Sequence, residues 1–204
     1  ADLVQLYGGE PIVIENCDDC WRRRADPATI ERELEKHKDV EVVTLVHCDT
    51  PSGILNDLKE ISKVVKSFGA MLIVDAVSSV GGVPISFDST NIDILIGGSQ
   101  KVLNLPAGLT IMAISNDAWD RINRVNYRGF YLNLKLWREM LDEAGIFPYT
   151  ISDVLIYALH ESLKMIMEEG PENVYKRHLV TKKAAWRAIE ALGLKPYPSS
   201  IEHS

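Results

Sequence analysis

Leu72-Ile73-Val74-Asp75-Ala76-Val77-Ser78-Ser79 and Gly97-Gly98-Ser99-Gln100-Lys101 are the two ends of one stretch, and their reading decides the fold. The first is an apolar run that closes on a carboxylate and small residues. The second follows another apolar run, Ile92 to Ile96, and closes on glycines, a serine, an amide and a lysine. Short runs of Ile, Leu and Val bounded by Gly and Ser read as buried parallel strands. In open α/β sheets, ligands bind at the carboxyl ends of such strands. Asp75 and Lys101 are therefore expected to face one crevice from neighbouring strand ends.

The flanking sequence supports this frame. Asp26-Pro27 reads as a helix cap with proline at the first helical position, and a helix to His37 carries Ile30 and Leu34 on its apolar stripe. Val40 to Val46 reads as a buried strand whose end delivers His47, Asp49 and Thr50 to the rim of Asp75 and Lys101. Pro51-Ser52-Gly53 makes a turn, a helix runs from about Asn56 to Ser67, and Gly69 closes it. Such alternation signals βαβ units and a mainly parallel sheet. Gly108 to Ile114 follows Lys101 too closely for a helical crossover, so this strand is expected to run antiparallel.

Further on, helices are expected over residues 117–123, 134–144, 151–169 and 172–192. Thr150 or Ser152 is expected to cap the third, and Val154, Leu155, Ala158, Leu159, Leu163 and Ile166 to share its apolar face. At the start, Ala1 to Tyr7 reads as the last turns of a helix closed by Gly8-Gly9, with a short strand from Pro11 to Glu15.

Composition narrows the function. The chain has 204 residues, 46% of them hydrophobic and 25% charged, as expected of a globular domain with a substantial core. A net charge of -7 argues against nucleic acid or an anionic membrane as partner. No apolar run is long enough to span a bilayer, and three cysteines make no even disulfide framework, so a reducing cytoplasmic setting is expected. Cys17-Asp18-Asp19-Cys20 has the spacing of half a zinc site, but no second such pair follows and no metal is expected. His47 reads as a strand-end histidine satisfied by backbone. No GxxxxGK[ST] occurs and no GxGxxG follows the first strands, which excludes the common nucleotide sites.

An acid and a lysine on one rim have a chemical use. Pyridoxal 5'-phosphate (PLP) is held as a Schiff base by a lysine, while an acid on its pyridinium nitrogen keeps the ring an electron sink. Singly, a strand-end Asp reads as a turn residue and a lysine after Gly-Ser as a solvated side chain. Three motifs in order are more specific: Val-His-Cys-Asp-Thr-Pro-Ser-Gly at 46–53, Val-Asp-Ala-Val-Ser-Ser-Val-Gly-Gly at 74–82, and Gly-Ser-Gln-Lys-Val-Leu-Asn-Leu-Pro-Ala-Gly-Leu at 98–109. Over almost its whole length the chain resembles class V aminotransferases of PLP fold type I, the group that includes the alanine–glyoxylate and serine–pyruvate enzymes.

The resemblance implies an α/β, three-layer fold-type-I PLP-dependent transferase large domain with a mainly parallel sheet, incomplete at both ends. Residues 1–194 would form the partial PLP-binding domain, and 195–204 the start of a connection to a C-terminal small domain. Carried over residue by residue, Lys101 matches the Schiff-base lysine and Asp75 the acid on the pyridine nitrogen. Val77 matches the apolar residue under the ring, and Thr50 the hydroxyl on the phenolic oxygen. Gln100 matches a residue near the phosphate. Thr150 matches a phosphate contact that comes from the partner subunit, which implies a homodimer with shared active sites. In relatives a tyrosine often stands where Phe147 is. The family's glycine-rich phosphate cradle would precede Ala1, and its carboxylate-binding arginine would follow Ser204.

The implied reaction is a ping-pong transfer of an amino group from alanine or serine to glyoxylate or pyruvate. Asp49-Thr50-Pro51-Ser52-Gly53 also resembles pyridoxamine–pyruvate aminotransferase, although that group usually departs from Gly-Ser-Gln before the lysine. A rival of another class is a non-catalytic fragment or dimerisation module, which would fold without retaining a cofactor.

Overall fold

The computed structural model describes residues 1–14 and 22–204. Cys17 and Cys20 lie outside the described residues. The elements are α1 (Asp2–Leu6), α2 (Pro27–Lys36), β1 (Val42–Val46), α3 (Leu58–Ser67), β2 (Met71–Asp75), β3 (Ile94–Gly98), β4 (Thr110–Ile114), α4 (Asn116–Arg124), α5 (Leu134–Glu139), α6 (Asp153–Glu169) and α7 (Pro171–Ala191). α5 widens into a π-helical turn over Met140–Ala144, and the chain closes in a 3₁₀ turn over Ile201–His203. No strand forms at residues 11–14, where the sequence suggested one.

The sheet order is β1-β2-β3-β4. β1, β2 and β3 run parallel, with Val46 beside Asp75 and Asp75 beside Ile96. β4 returns antiparallel to β3, as the short connection requires. β2 is covered on both faces, with Leu72 and Val74 wholly buried on one and Met71 buried and Ile73 half-buried on the other, and so reads as an unbroken apolar run. β1 departs from the expected buried strand. It stands at the edge of the described sheet, and exposed residues alternate with half-buried ones along it.

Local chemistry fixes the helix starts. Asp26 accepts from the Ala28 N–H, Asp57 from Lys59 and Glu60, and Ser115 from Ala118. Each such cap is worth about 1 kcal/mol. Ser152, not Thr150, caps α6. Ile30 and Leu34 of α2 and Ile61 and Val65 of α3 pack with Leu72 and Val74 as the main core. The anticipated apolar face of α6 is only partly covered: Val154 is 71% exposed, while Leu155, Ala158, Leu159 and Ile166 are half-buried. Periodicity identifies such a stripe but not what lies against it.

At the amino end of the strands, Asp93 ties four elements together. Its carboxylate accepts from Lys66 Nζ of α3 at 2.9 and 2.8 Å, from the Leu72 N–H of β2 at 2.7 Å, and from the Ser115 hydroxyl at 3.4 Å. This acid is buried and saturated. The opposite end of the sheet is built differently. Among the described residues no helix is long and apolar enough to cross a membrane.

Candidate active site

Three loops meet at the carboxyl ends of β1, β2 and β3. The β1 loop, residues 47–56, is cinched at its base. The Asn56 N–H donates to the His47 carbonyl at 2.7 Å, and Asn56 Nδ2 to the Val46 carbonyl at 2.8 Å. Inside the loop, Asp49 accepts from the Ser52 N–H at 3.0 Å and its hydroxyl at 2.5 Å. Gly53, at φ 70°, turns the chain back. Asp49 was expected to face the rim with Thr50. Its carboxylate instead turns inward and staples the loop, because Ser52 three residues on offers two donors. Thr50 at the tip is left exposed.

The β2 loop begins at Asp75. One carboxylate oxygen, Oδ1, accepts the Val77 N–H at 2.9 Å. Among the described residues no hydrogen bond reaches Oδ2, and the residue is exposed. The turn is held by Ser79 and Val80 N–H groups donating to the Ala76 carbonyl, each at 2.9 Å.

The β3 loop presents Lys101. Ser99, fully buried, pins its base. Its hydroxyl donates to the Pro106 carbonyl at 2.7 Å and accepts from the Leu109 N–H at 3.2 Å. The Asn104 N–H donates to the Lys101 carbonyl at 2.9 Å in a turn that takes Asn104 to φ 59°, a left-handed conformation that asparagine tolerates. Ser162 of α6 holds the Leu103 carbonyl at 2.6 Å. Lys101 therefore springs from a loop fixed at both sides while its own side chain stays exposed.

These loops bring together most of the expected residues. Lys101 Nζ donates to Thr50 Oγ1 at 3.3 Å, and Thr50 Oγ1 pairs with Ser78 Oγ at 2.7 Å. Ser78 lies three residues beyond Asp75 in the same turn. Val77 packs against Gly98, where a Cβ would stand 3.0 Å from Val77 Cγ1 and 2.8 Å from Gln100 Oε1. A glycine is thus needed for the Val77 and Gln100 side chains to lie where they do. Thr150 is not among this group. It lines an open cavity of about 690 Å³ with Phe147, Tyr149, Ile151 and Tyr157, none of which belongs to the three loops. Beside that cavity Tyr149 stacks on Tyr131 with ring centroids 4.7 Å apart.

Ser78 and Ser79 escaped the sequence reading. The only signal for them is two hydroxyls directly after Asp75-Ala76-Val77, where strand-end side chains alternate between rim and interior. Ser79 is buried, and its partner corrects a further expectation: the His47 ring bonds a side chain rather than backbone, with Nδ1 2.8 Å from Ser79 Oγ. Burial first, and then the nearby Arg24 cation, push the His47 pKa down to about 4 against the opposing pull of Asp57, so the ring is neutral at physiological pH. Cys48 is half-buried, and burial raises its thiol pKa, with Asp49 adding to the rise and Lys101 opposing it. No group of three His, Cys, Asp or Glu side chains able to hold a metal occurs among the described residues.

The donor set suits PLP. A carboxylate oxygen without a donor among the described residues matches a protonated ring nitrogen, an exposed primary amine matches an aldehyde, and a hydroxyl beside that amine matches a phenolate oxygen. The Val77 side chain, given room by Gly98, offers an apolar floor.

Comparison with known proteins gives a family match. A sequence model of the family described as "Aminotransferase class-V" matches residues 12–197. An uncharacterised aminotransferase of Methanocaldococcus jannaschii is 40% identical over 96% of this chain and 50% of its own length. The serine–glyoxylate aminotransferase of Methylorubrum extorquens is 35% identical over 98% of this chain and 51% of its own. Among solved structures, a pyridoxamine–pyruvate aminotransferase from Mesorhizobium loti superimposes with a TM-score of 0.83 at 35% identity, covering 88% of this chain and 46% of that one. The chain spans about half the length of the curated relatives it matches.

Proposed function

The chain belongs to the class-V aminotransferases, and from that premise we propose that the whole protein is a PLP-dependent transaminase. It would take the amino group of a small amino acid, alanine or serine, and pass it to glyoxylate or pyruvate in two half-reactions. The observation that carries this reading is the meeting of Lys101 Nζ and Thr50 Oγ1, 3.3 Å apart, on the rim where β2 ends in Asp75. The serine–glyoxylate relative supports the choice of substrates.

PLP, when bound, supplies an electron sink for the α-carbon of the amino acid. The chain supplies the rest. Lys101 Nζ would be the attachment point and, when not so engaged, would serve as the base that moves the α-proton. Asp75 Oδ2 would meet the ring nitrogen and hold its proton in place. Thr50 Oγ1 would donate to the phenolic oxygen, and Val77 would support one face of the ring. Gln100 would lie near the phosphate. Thr150, which lines a cavity of its own chain that does not include Lys101, would reach the phosphate of a twofold mate, which makes a homodimer with shared sites part of the proposal. So are the domain limits, 1–194 for the PLP-binding domain and 195–204 for the connection beyond it, and a cytoplasmic setting, supported by the odd cysteine count.

A second reading, with pyridoxamine as donor and pyruvate as acceptor, has the superposition with that enzyme in its favour. The Gly98-Ser99-Gln100 approach to Lys101 favours the first. Incubating the full-length protein with PLP, reducing with borohydride and mapping the labelled peptide tests the site. Label on Lys101, together with amino transfer from alanine or serine, is the expected result. A wild-type protein that takes up no PLP would end the transaminase reading, and transfer from pyridoxamine alone would favour the second.

A further inference from the structure

His47 is 5% exposed beneath the Asp75 turn, and none of the roles above uses it. Its main-chain N–H donates to the Asp75 carbonyl at 2.8 Å, and its ring Nδ1 meets Ser79 Oγ at 2.8 Å. These two bonds grip the first and last residues of the turn that displays the Asp75 carboxylate. Between them, Val77 N–H holds Asp75 Oδ1 and the Ser79 hydroxyl lies 3.2 Å from the Ala76 carbonyl. A serine hydroxyl has one proton. With that proton on the Ala76 carbonyl, His47 Nδ1 is the donor to Ser79, and the three groups form a short directed chain. From His47 the main chain runs through Cys48 and Asp49 to Thr50, whose hydroxyl returns to the same turn at Ser78, 2.7 Å away. One buried side chain therefore stands where the Thr50 loop and the Asp75 turn join.

We propose that His47 is a positioning residue that, through Ser79, fixes the Asp75 carboxylate and the Thr50 hydroxyl relative to each other, so that two edges of PLP are met at once. The inference rests on the proposed function and deepens it. An apolar side chain at residue 47 would fill the space but leave the Asp75 turn tied to the Thr50 loop only through the Asp75 carbonyl and the exposed Thr50–Ser78 hydroxyl pair. Asparagine can place a donor nitrogen near the position of Nδ1.

The test uses the full-length protein in apo form, titrated with PLP at a temperature where every variant is folded. The readout is the dissociation constant from the visible band of lysine-bound PLP. Ser79→Ala, which removes one oxygen atom, and His47→Leu are each expected to weaken PLP about 3- to 10-fold, the span of one lost hydrogen bond. His47→Asn should recover most of the loss. The double variant that combines His47→Leu with Ser79→Ala should be no weaker than the worse single, because both substitutions break the same bond. Wild-type affinity in Ser79→Ala, or additive losses in the double variant, would overturn the inference and leave His47 as packing. If His47→Leu fails to fold, Ser79→Ala alone decides. A wild-type protein that binds no PLP would remove the proposed function, and this inference with it.

Discussion

Two aspartates at opposite ends of the same sheet are used in opposite ways. Asp93, at the amino end, is 2% exposed, and both its oxygens are taken, by an ammonium, a main-chain N–H and a hydroxyl from three other parts of the chain. Asp75, at the carboxyl end, is exposed and has one oxygen on its own turn and none of the described residues on the other. The loops around Asp75 are as well bonded as the region around Asp93. Ser99, Asn56, Asp49 and His47 all have their partners. Asp75, Thr50 and Lys101 are exposed beside them, as is Gln100. A fold that bonds these supporting groups and leaves the functional ones open has fixed walls and free chemistry, which is the arrangement that transition-state positioning requires.

The sharpest way to break this comparison is to remove one group from each end. In the full-length protein, Lys101→Ala should abolish the borohydride-trapped label and cut turnover by on the order of 10²–10⁴-fold, the usual worth of a positioned proton-transfer group. Its melting temperature without PLP should stay at the wild-type value, since an exposed side chain with one long hydrogen bond contributes within about 0.5 kcal/mol. Asp93→Ala should do the reverse. Removing this carboxylate leaves the Leu72 N–H buried without its acceptor and frees a part-exposed Lys66 ammonium, a loss of about 1–3 kcal/mol read as a lower denaturant midpoint, while PLP affinity of the folded protein stays the same. A Lys101 variant that unfolds, or an Asp93 variant that loses PLP while folded, would show that the two ends are not separable.

The sequence made one end of this contrast far easier to see than the other. Strands, helix caps and the reversal of β4 follow from local rules: apolar runs, Asp before Pro27, and a connection too short for a crossover. Asp75 and Lys101 were legible because strand ends in α/β sheets gather at one edge. The roles of Asp93, Ser78 and Ser79 were not, because their partners lie far away in sequence. Lys66 and Asp93 are 27 residues apart, and His47 and Ser79 are 32 apart. Such pairs depend on strand register, and a strand buried on both faces has no alternation from which to read register. Asp49 misled for the opposite reason. A partner three residues away captured its carboxylate, and local bonding of this kind is common in Asp-containing turns.

A smaller effect tests whether the carboxyl end carries stability of its own. His47 is folded in its neutral form with a pKa of about 4, below its ordinary 6.5. Between those values the unfolded chain binds the proton and the folded chain does not. The contribution is therefore fully present above about pH 6.5 and lost as pH falls toward 4. At most it amounts to about 3 kcal/mol. Urea midpoints measured across this window should fall more steeply in the wild type than in His47→Gln, which has nothing to titrate there. Parallel slopes would mean that the imidazole is not shielded as its burial indicates.

The smallest effect discriminates most finely. Thr50→Val keeps the shape of the side chain and deletes the oxygen that Lys101 and Ser78 share. Because Thr50 is exposed, no buried partner is stranded, and the loop's own bonds through Asp49 and Asn56 remain. Stability should not move. PLP affinity should fall by about 3- to 10-fold, one hydrogen bond's worth. Thr50→Ser should restore it, since the hydroxyl and not the methyl is what the rim presents. A loss of stability in Thr50→Val would mean that Thr50 belongs with Asp93 among the groups that hold the fold. The line between supporting and open groups would then have to be drawn at Asp75 and Lys101 alone.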